Sequence, residues 1–172
     1  MTSESGQKTA KNAALVGFAE HDHTACVNDT LAAADKWSAE NGLRFTPVRR
    51  KVLEILLQEH RALGAYAILD RLGEVGFGSQ PPVAYRALDF LVLNGLAHKI
   101  EKLNAFIACA HPGQAHAPAF MICRKCDAVA ETQSSPAEDM LSDAARASGF
   151  QIECTVVEAE GICPLCSNED PA

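Results

Sequence analysis

The sequence predicts an α+β fold in two parts, a helical head closed by a β-hairpin and a small α/β unit behind it. Three observations carry that expectation. Between Thr46 and Gly95, apolar residues recur at helical spacing in three segments bounded by proline or glycine. Two short strand-like runs with a polar turn follow, at LAHKI and AFIAC. Two Cys-x-x-Cys pairs, Cys123/Cys126 and Cys163/Cys166, then bracket most of the remaining chain.

The elements follow in order. Residues 1–27 form a weakly patterned extension whose first dozen residues are expected to be disordered. A first helix either runs through Leu15–His21 or begins near Asn28, which can cap the alanine-rich stretch after it. Trp37 and Leu43 are expected to pack this helix on the next. In LRFTPVRRKVLEILLQEH, Thr46 suits an N-cap and Pro47 the first helical position. Val48, Val52, Ile55 and Leu56 should face a core, and the basic cluster Arg49, Arg50 and Lys51 reads as a solvated face. GAYAILDRLG is a third helix with Leu69 and Leu72 inward, and EVGFGSQPP is a turn. PPVAYRALDFLVLNG is a fourth, starting at its prolines and stopped by Gly95. Ala84, Leu88, Leu91 and Val92 form its apolar stripe, with Tyr85, Arg86 and Asp89 on another face. EKLN turns the hairpin that follows. Three helices and a two-stranded hairpin describe a winged helix-turn-helix whose recognition helix is the fourth of the chain. Such a helix fits the DNA major groove, while helix N-termini and basic residues hold phosphates.

Behind the head, HPGQAHAP reads as a loop and AFMIC as a strand entering the first Cys-x-x-Cys pair. A helix follows, with Ser135 as cap, Pro136 at its first position and Glu138 completing a capping box. Leu141, Ala144 and Ala145 offer it a narrow buried face, and Gly149 ends it. FQIECTVVEAEG reads as a strand, and CPLC closes the unit. A unit this small is marginal alone, so a metal ion and a partner subunit would both support its folding. The expected division is extension 1–27, winged-helix domain 28–108, linker with metal ligands 109–117, and dimerisation domain 118–172.

The formal net charge is −7, but its distribution matters more than its sum. Residues 36–103 carry ten basic and seven acidic side chains and are the only net-basic part. A nucleic-acid surface belongs there. A hydrophobic fraction of 48% fits a globular chain, and no apolar run is long enough to span a membrane. The N-terminus lacks the pattern of an export signal, so a cytoplasmic location is expected. Seven cysteines there favour metal thiolates over disulfides, with Cys26 and Cys154 as unpaired thiols.

Two Cys-x-x-Cys knuckles can enclose one tetrahedral ion, and soft thiolates favour zinc over magnesium or calcium. Cys123, Cys126, Cys163 and Cys166 are therefore read as a structural zinc site. A second set is His98, Cys109, His116 and Glu131, which offers two imidazoles, a thiolate and a carboxylate. Ordinary polar or packed roles are the alternative for these four, and His111 competes as a ligand because of its nearness to Cys109. His21, Asp22, His23 and Cys26 could also form a local site, but a solvated helix end is the simpler reading.

Residues 30–168 resemble the ferric uptake regulator (Fur) family, and its zinc uptake regulator (Zur) branch in particular. The matching phrases are LRFTPVRRKVLEIL, GAYAILDRL, PPVAYRALDFLVLNGLAHKIEKLNAFIAC, HAPAFMICRKCDAVAE and GICPLC. The resemblance implies a zinc-responsive repressor that binds pseudo-palindromic operators as a dimer and represses zinc-uptake genes. It implies two zinc ions per protomer, a structural one on the four cysteines and a regulatory one on His98, Cys109, His116 and Glu131. It also implies DNA contacts by Tyr66, Tyr85 and Arg86, with Arg44 on phosphate. Val83 stands where the family usually has threonine, which removes a hydroxyl able to cap the helix or contact phosphate. The HHxH segment of the iron branch is absent, and the extension has no family counterpart.

Catalysis is not expected. A zinc hydrolase needs an open coordination position, whereas both sets supply four protein ligands and no HExxH motif occurs. No small-molecule substrate is expected either. The alternatives are a Fur-family regulator answering to another transition metal and, less favoured, a metal-buffer or interaction module.

Overall fold

The computed structural model describes residues 18, 23–59, 61–78, 80–113, 118–133, 135–153 and 155–168; within these, the side chains of 23, 25, 26, 133 and 135–140 are not described. The suggested site at His21, Asp22, His23 and Cys26, the ligand His116, the thiol of Cys154 and the capping box of Ser135 and Glu138 lie outside the described residues. So does the alternative first helix through Leu15–His21.

The head comprises α1 (His23–Glu40), α2 (Pro47–Leu57), α3 (Ala65–Glu74) and α4 (Pro81–Leu93), then the hairpin β1 (Ala97–Ile100) and β2 (Ala105–Ala108). Helix α1 starts ahead of Asn28, which is exposed within it. No glycine or proline interrupts the stretch, and an exposed asparagine costs at most about 0.7 kcal/mol against alanine. Thr46 caps α2, its Oγ1 accepting the Arg49 N–H at 3.4 Å, and Pro47 opens the first turn. Gly95, at φ +65°, ends α4 as expected.

The head core is built from Leu31 and Ala34 of α1, Val52, Leu53 and Leu56 of α2, Ile68 and Leu72 of α3, and Leu88 and Leu91 of α4. Two expectations shift. On α2, Leu53 is fully buried and Val48 only half-buried. On α4 the buried set is Ala84, Ala87, Leu88 and Leu91, whereas Val92 is exposed. That set is the i, i+3, i+4, i+7 arc facing α2 and α3, and residue 92 falls just off it. Trp37 packs against the edge of this core; Leu43 is half-buried.

The second unit contains β3 (Pro118–Cys123), β4 (Val129–Gln133), α5 (Ser135–Ser148), β5 (Val157–Gly161) and α6 (Pro164–Ser167). Its sheet has the order β4-β3-β5, with β4 antiparallel and β5 parallel to β3. Strand β4 is additional to the expected elements. Strand β5 covers only the second half of FQIECTVVEAEG, because its ladder begins at Ala119↔Val157 and β3 itself starts at Pro118. Among the described residues, no strand lies beside the earlier ones.

Gly149, at φ +73°, ends α5, and the Phe150 N–H reaches back to the Ala145 carbonyl at 2.9 Å, a Schellman closure. The face expected to be buried on α5 is instead open. Leu141 and Ala144 are exposed and Ala145 is half-buried, and no other element among the described residues covers Leu141 and Ala144.

The two parts share a second core. Ile100 and Ile107 of the hairpin pack with Phe120, Ile122 and Val129 of the second sheet. The segment between α2 and α3 touches both sides of this junction: Leu63 exchanges both backbone hydrogen bonds with Phe106 of the hairpin at 2.8 Å, and Arg61 bridges Ala128 of the second unit. Among the described residues, no helix is long and apolar enough to cross a membrane.

Candidate metal centres and nucleic-acid interface

The first centre lies where β3 ends. Cys123 closes that strand, and Cys126 sits in the turn to β4, which Asp127 completes in the left-handed region at φ 57°. The register Cys123↔Gly161 brings β5 alongside, so Cys163 and Cys166 arrive at the same point. The four sulfurs lie within 4.8 Å of one another. The Cys163 N–H donates to Cys123 Sγ at 3.3 Å and the Cys166 N–H to Cys163 Sγ at 3.5 Å.

The Cys126 and Cys163 sulfurs are 3.8 Å apart. A disulfide requires about 2.05 Å. A tetrahedral zinc with bonds of about 2.3 Å separates its sulfurs by about 3.8 Å. The geometry therefore fits an ion and not a bridge. The backbone N–H of Cys163 is the main influence pulling the Cys123 thiol down to about 6. Hydrogen bonds that the Cys166 thiol donates to Cys163 and Cys126 push it up to about 12. One thiolate forms readily and further ones are resisted by it, a conflict that a shared cation resolves. Phe18 packs against this cluster.

The second centre lies between the two parts. His98 comes from β1, Cys109 follows β2, and Glu131 projects from β4; their ligand atoms lie within 4.8 Å of one another. His98 Nε2 is 3.6 Å from Glu131 Oε1. The other oxygen of Glu131 accepts the Ala110 N–H at 2.8 Å, and Cys109 Sγ accepts the His111 N–H at 3.3 Å. Burial, followed by the charge of Glu131, pushes the Cys109 thiol up to about 12. An imidazole, a thiol and a carboxylate thus converge in a largely buried place, a donor set suited to a borderline-soft divalent ion. Three of the four expected ligands come together, and His116 lies outside the described residues. His111 also reaches the site, with Nδ1 3.8 Å from Glu131 Oε1.

The residues expected to meet DNA separate into places. Tyr66, 72% exposed at the start of α3, and Tyr85, 43% exposed on α4, line one open groove of about 710 Å³ with Lys99, Asn104 and Phe106 of the hairpin. Arg86 is exposed on α4 outside the groove lining, and Arg44 is exposed ahead of α2. The cluster at the start of α2 is engaged within the head. Arg49 stacks 3.7 Å over the Phe90 ring and donates to the Arg44 carbonyl, Arg50 pairs with Asp35 at 3.2 Å, and Lys51 with Glu54 at 3.0 Å.

Lys99 was absent from the sequence-based site. Its signal was the two-residue alternation of LAHKI, which turns Lys99 away from the face on which His98 meets the second sheet.

The model of the ferric uptake regulator family matches residues 40–159, from the end of α1 to β5. The chain belongs to this family. Fur-family proteins are transcription regulators and not enzymes. Within the family, the zinc uptake regulation protein of Escherichia coli (strain K12) is 38% identical over 139 residues, covering 80% of this chain and 81% of that protein. The zinc uptake regulation protein of Shigella flexneri gives the same values, 38% over 139 residues. A zinc uptake regulator solved in complex with zinc and DNA superposes with a TM-score of 0.80 at 37% identity, covering 83% of this chain and 96% of that one. Holo XcZur superposes with a TM-score of 0.76 at 38% identity, over 82% and 99% of the two chains.

Proposed function

We propose that this Fur-family chain is a zinc-responsive transcriptional repressor, binding pseudo-palindromic operator DNA as a homodimer and repressing zinc-uptake genes. The observation that carries the proposal is the convergence of His98, Cys109 and Glu131 across the junction of head and second unit. The similarity to zinc uptake regulators, one of them solved with zinc and DNA, points the same way.

In this reading each protomer holds two zinc ions. Cys123, Cys126, Cys163 and Cys166 hold the structural one and staple both ends of the second unit. His98, Cys109, His116 and Glu131 hold the regulatory one, with His111 as the competing fourth ligand. The head is 28–108, the linker 109–117 and the dimerisation platform 118–172. Metal thiolates of this kind suit a reducing cytoplasm.

Zinc at the second set supplies positive charge and a cross-link between domains. The residues around it do the rest. His98 rides on the hairpin and Glu131 on β4, so holding them together restricts the head relative to the platform. Tyr66, Tyr85 and Arg86 then face DNA, with Arg44 on phosphate. Exposed Leu141, Phe150, Ile152 and Val156 give the platform an apolar surface for a second subunit.

Zinc content per protomer and binding to duplexes selected from a random pool, before and after mild chelation, test the proposal. Two ions should fall to one as DNA binding disappears, and His116→Ala should lose the weaker ion where His111→Ala keeps it. DNA binding that ignores zinc would overturn the repressor reading.

A further inference from the structure

In the platform sheet, three residues stand in one row. Phe120 of β3 is in register with Glu131 of β4 on one side and with Glu158 of β5 on the other. Residues directly opposite one another in a sheet share a face, and in this row all three meet the head. Glu131 reaches His98 at 3.6 Å. The Phe120 ring lies 5.4 Å from the His98 ring and is buried in the core shared with Ile100 and Ile107.

Glu158 takes the far end of the row. Its Oε1 accepts the Glu101 N–H at 2.6 Å and its Oε2 accepts the Lys102 N–H at 2.9 Å. Both donors belong to the turn of the hairpin, directly after β1, the strand that carries His98. Each carboxylate oxygen thus receives one backbone N–H of the turn, and bonds to an ionised acceptor are stronger than neutral ones. Beside it, Lys102 Nζ pairs with Glu160 Oε2 at 3.3 Å, but both side chains are well exposed and contribute little.

We propose that Glu158 is a positioning residue, a metal-independent tie that holds the hairpin turn on the platform and so presets the spacing of His98 and Glu131. Strand β1 is then fixed at both ends against the row Glu131-Phe120-Glu158, by metal ligands at one end and by a carboxylate at the other. Phe120 is the packed pivot between them. With the Glu158 end released, the hairpin rocks about Phe120, and the regulatory ligands are in place for a smaller fraction of the time. An ion that binds only the assembled geometry is weakened by that fraction. The inference rests on the regulatory site described above, although its readouts need no DNA.

The test compares full-length wild type, Glu158→Ala and Glu158→Gln. Hydrogen exchange of the zinc-loaded proteins reports the tie, and competition against a chromogenic chelator reports affinity for the second zinc. Glu158→Ala should speed exchange at Glu101 and Lys102 about tenfold or more, the lower edge expected for a lost charge-assisted bond. It should weaken the second zinc about three- to tenfold, while β3 amides and the four-cysteine ion stay unchanged. Glu158→Gln keeps one acceptor oxygen and should fall between, which also covers poor folding of the alanine variant. Unchanged exchange at Glu101 and Lys102 would overturn the tie. Faster exchange there with unaltered zinc affinity would overturn its positioning role. A wild type that binds no duplex in zinc would sink the repressor reading and leave both readouts to decide this one.

Discussion

Burial and the Glu131 carboxylate together push the Cys109 thiol up to about 12, so at neutral pH the metal-free site carries a proton on sulfur. Zinc at the proposed regulatory site would bind the thiolate and would have to displace that proton. Raising the pH below 12 enlarges the thiolate fraction, so zinc affinity should rise with pH. Where the sulfur is the one ligand that still has a proton to lose, the slope should approach tenfold per pH unit. Cys109→Ser should weaken this zinc and flatten the slope. Competition titrations across a pH series check both, and a flat profile for wild type would contradict the thiolate role. Gly113 makes a second test in the adjoining loop. It stands at φ +77°, and a Cβ there would meet Trp37 Cδ1 at 2.5 Å. Gly113→Ala should therefore displace the only tryptophan of the chain, visible as a shift in its emission.

In the proposed function, α4 and the hairpin carry the DNA reading together. Arg86→Ala should cost about 1–3 kcal/mol of operator discrimination if Arg86 reads a guanine, and should weaken all duplexes alike if it holds phosphate. Affinities for selected and scrambled duplexes at one fixed salt concentration separate these outcomes. Equal affinity of variant and wild type for both would remove Arg86 from the interface. How far such elements can be read from sequence depends on whether their determinants are local. Helices α2 and α4 were legible because prolines open them and, in α4, Gly95 closes it. The four-cysteine centre was legible because each Cys-x-x-Cys pair is itself a local unit. Strand β4 was missed because VAETQ is short and only its pairing with β3 makes it a strand. The extent of β5 depends on where β3 begins, a fact of register that no local pattern contains. The second ligand set was only weakly legible in the residues, since its members are scattered along the chain, and the family resemblance strengthened it. Glu158 had no signal in the sequence, because its partners are backbone N–H groups of a distant turn.

At the scale of the whole molecule, the surface left open on the platform matters most. Leu141, Phe150, Ile152 and Val156 are exposed beside a small sheet and the four-cysteine staple, and none belongs to the second ligand set. Dimerisation through this surface should therefore survive loss of the regulatory ion, while Phe150→Asp should yield monomers in sedimentation. What the regulatory ion changes is then the relation of two heads within an existing dimer. Recognition helices on successive half-sites need a separation of about 34–36 Å. Fixing His98 against Glu131 favours one head position per protomer, and zinc can favour it only by binding that position better than the others. The coupling is reciprocal, so a duplex that selects the same position must raise affinity for the regulatory zinc by the factor with which zinc raises affinity for the duplex. A coupling of 1–3 kcal/mol, typical of such linkage, corresponds to about 5- to 150-fold. Zinc titrations with and without the selected duplex measure one side of this cycle, and duplex titrations with and without the second zinc measure the other. Two equal factors above about fivefold are expected; a zinc affinity that ignores DNA, or a monomer that dimerises only as the second ion binds, would rule the mechanism out.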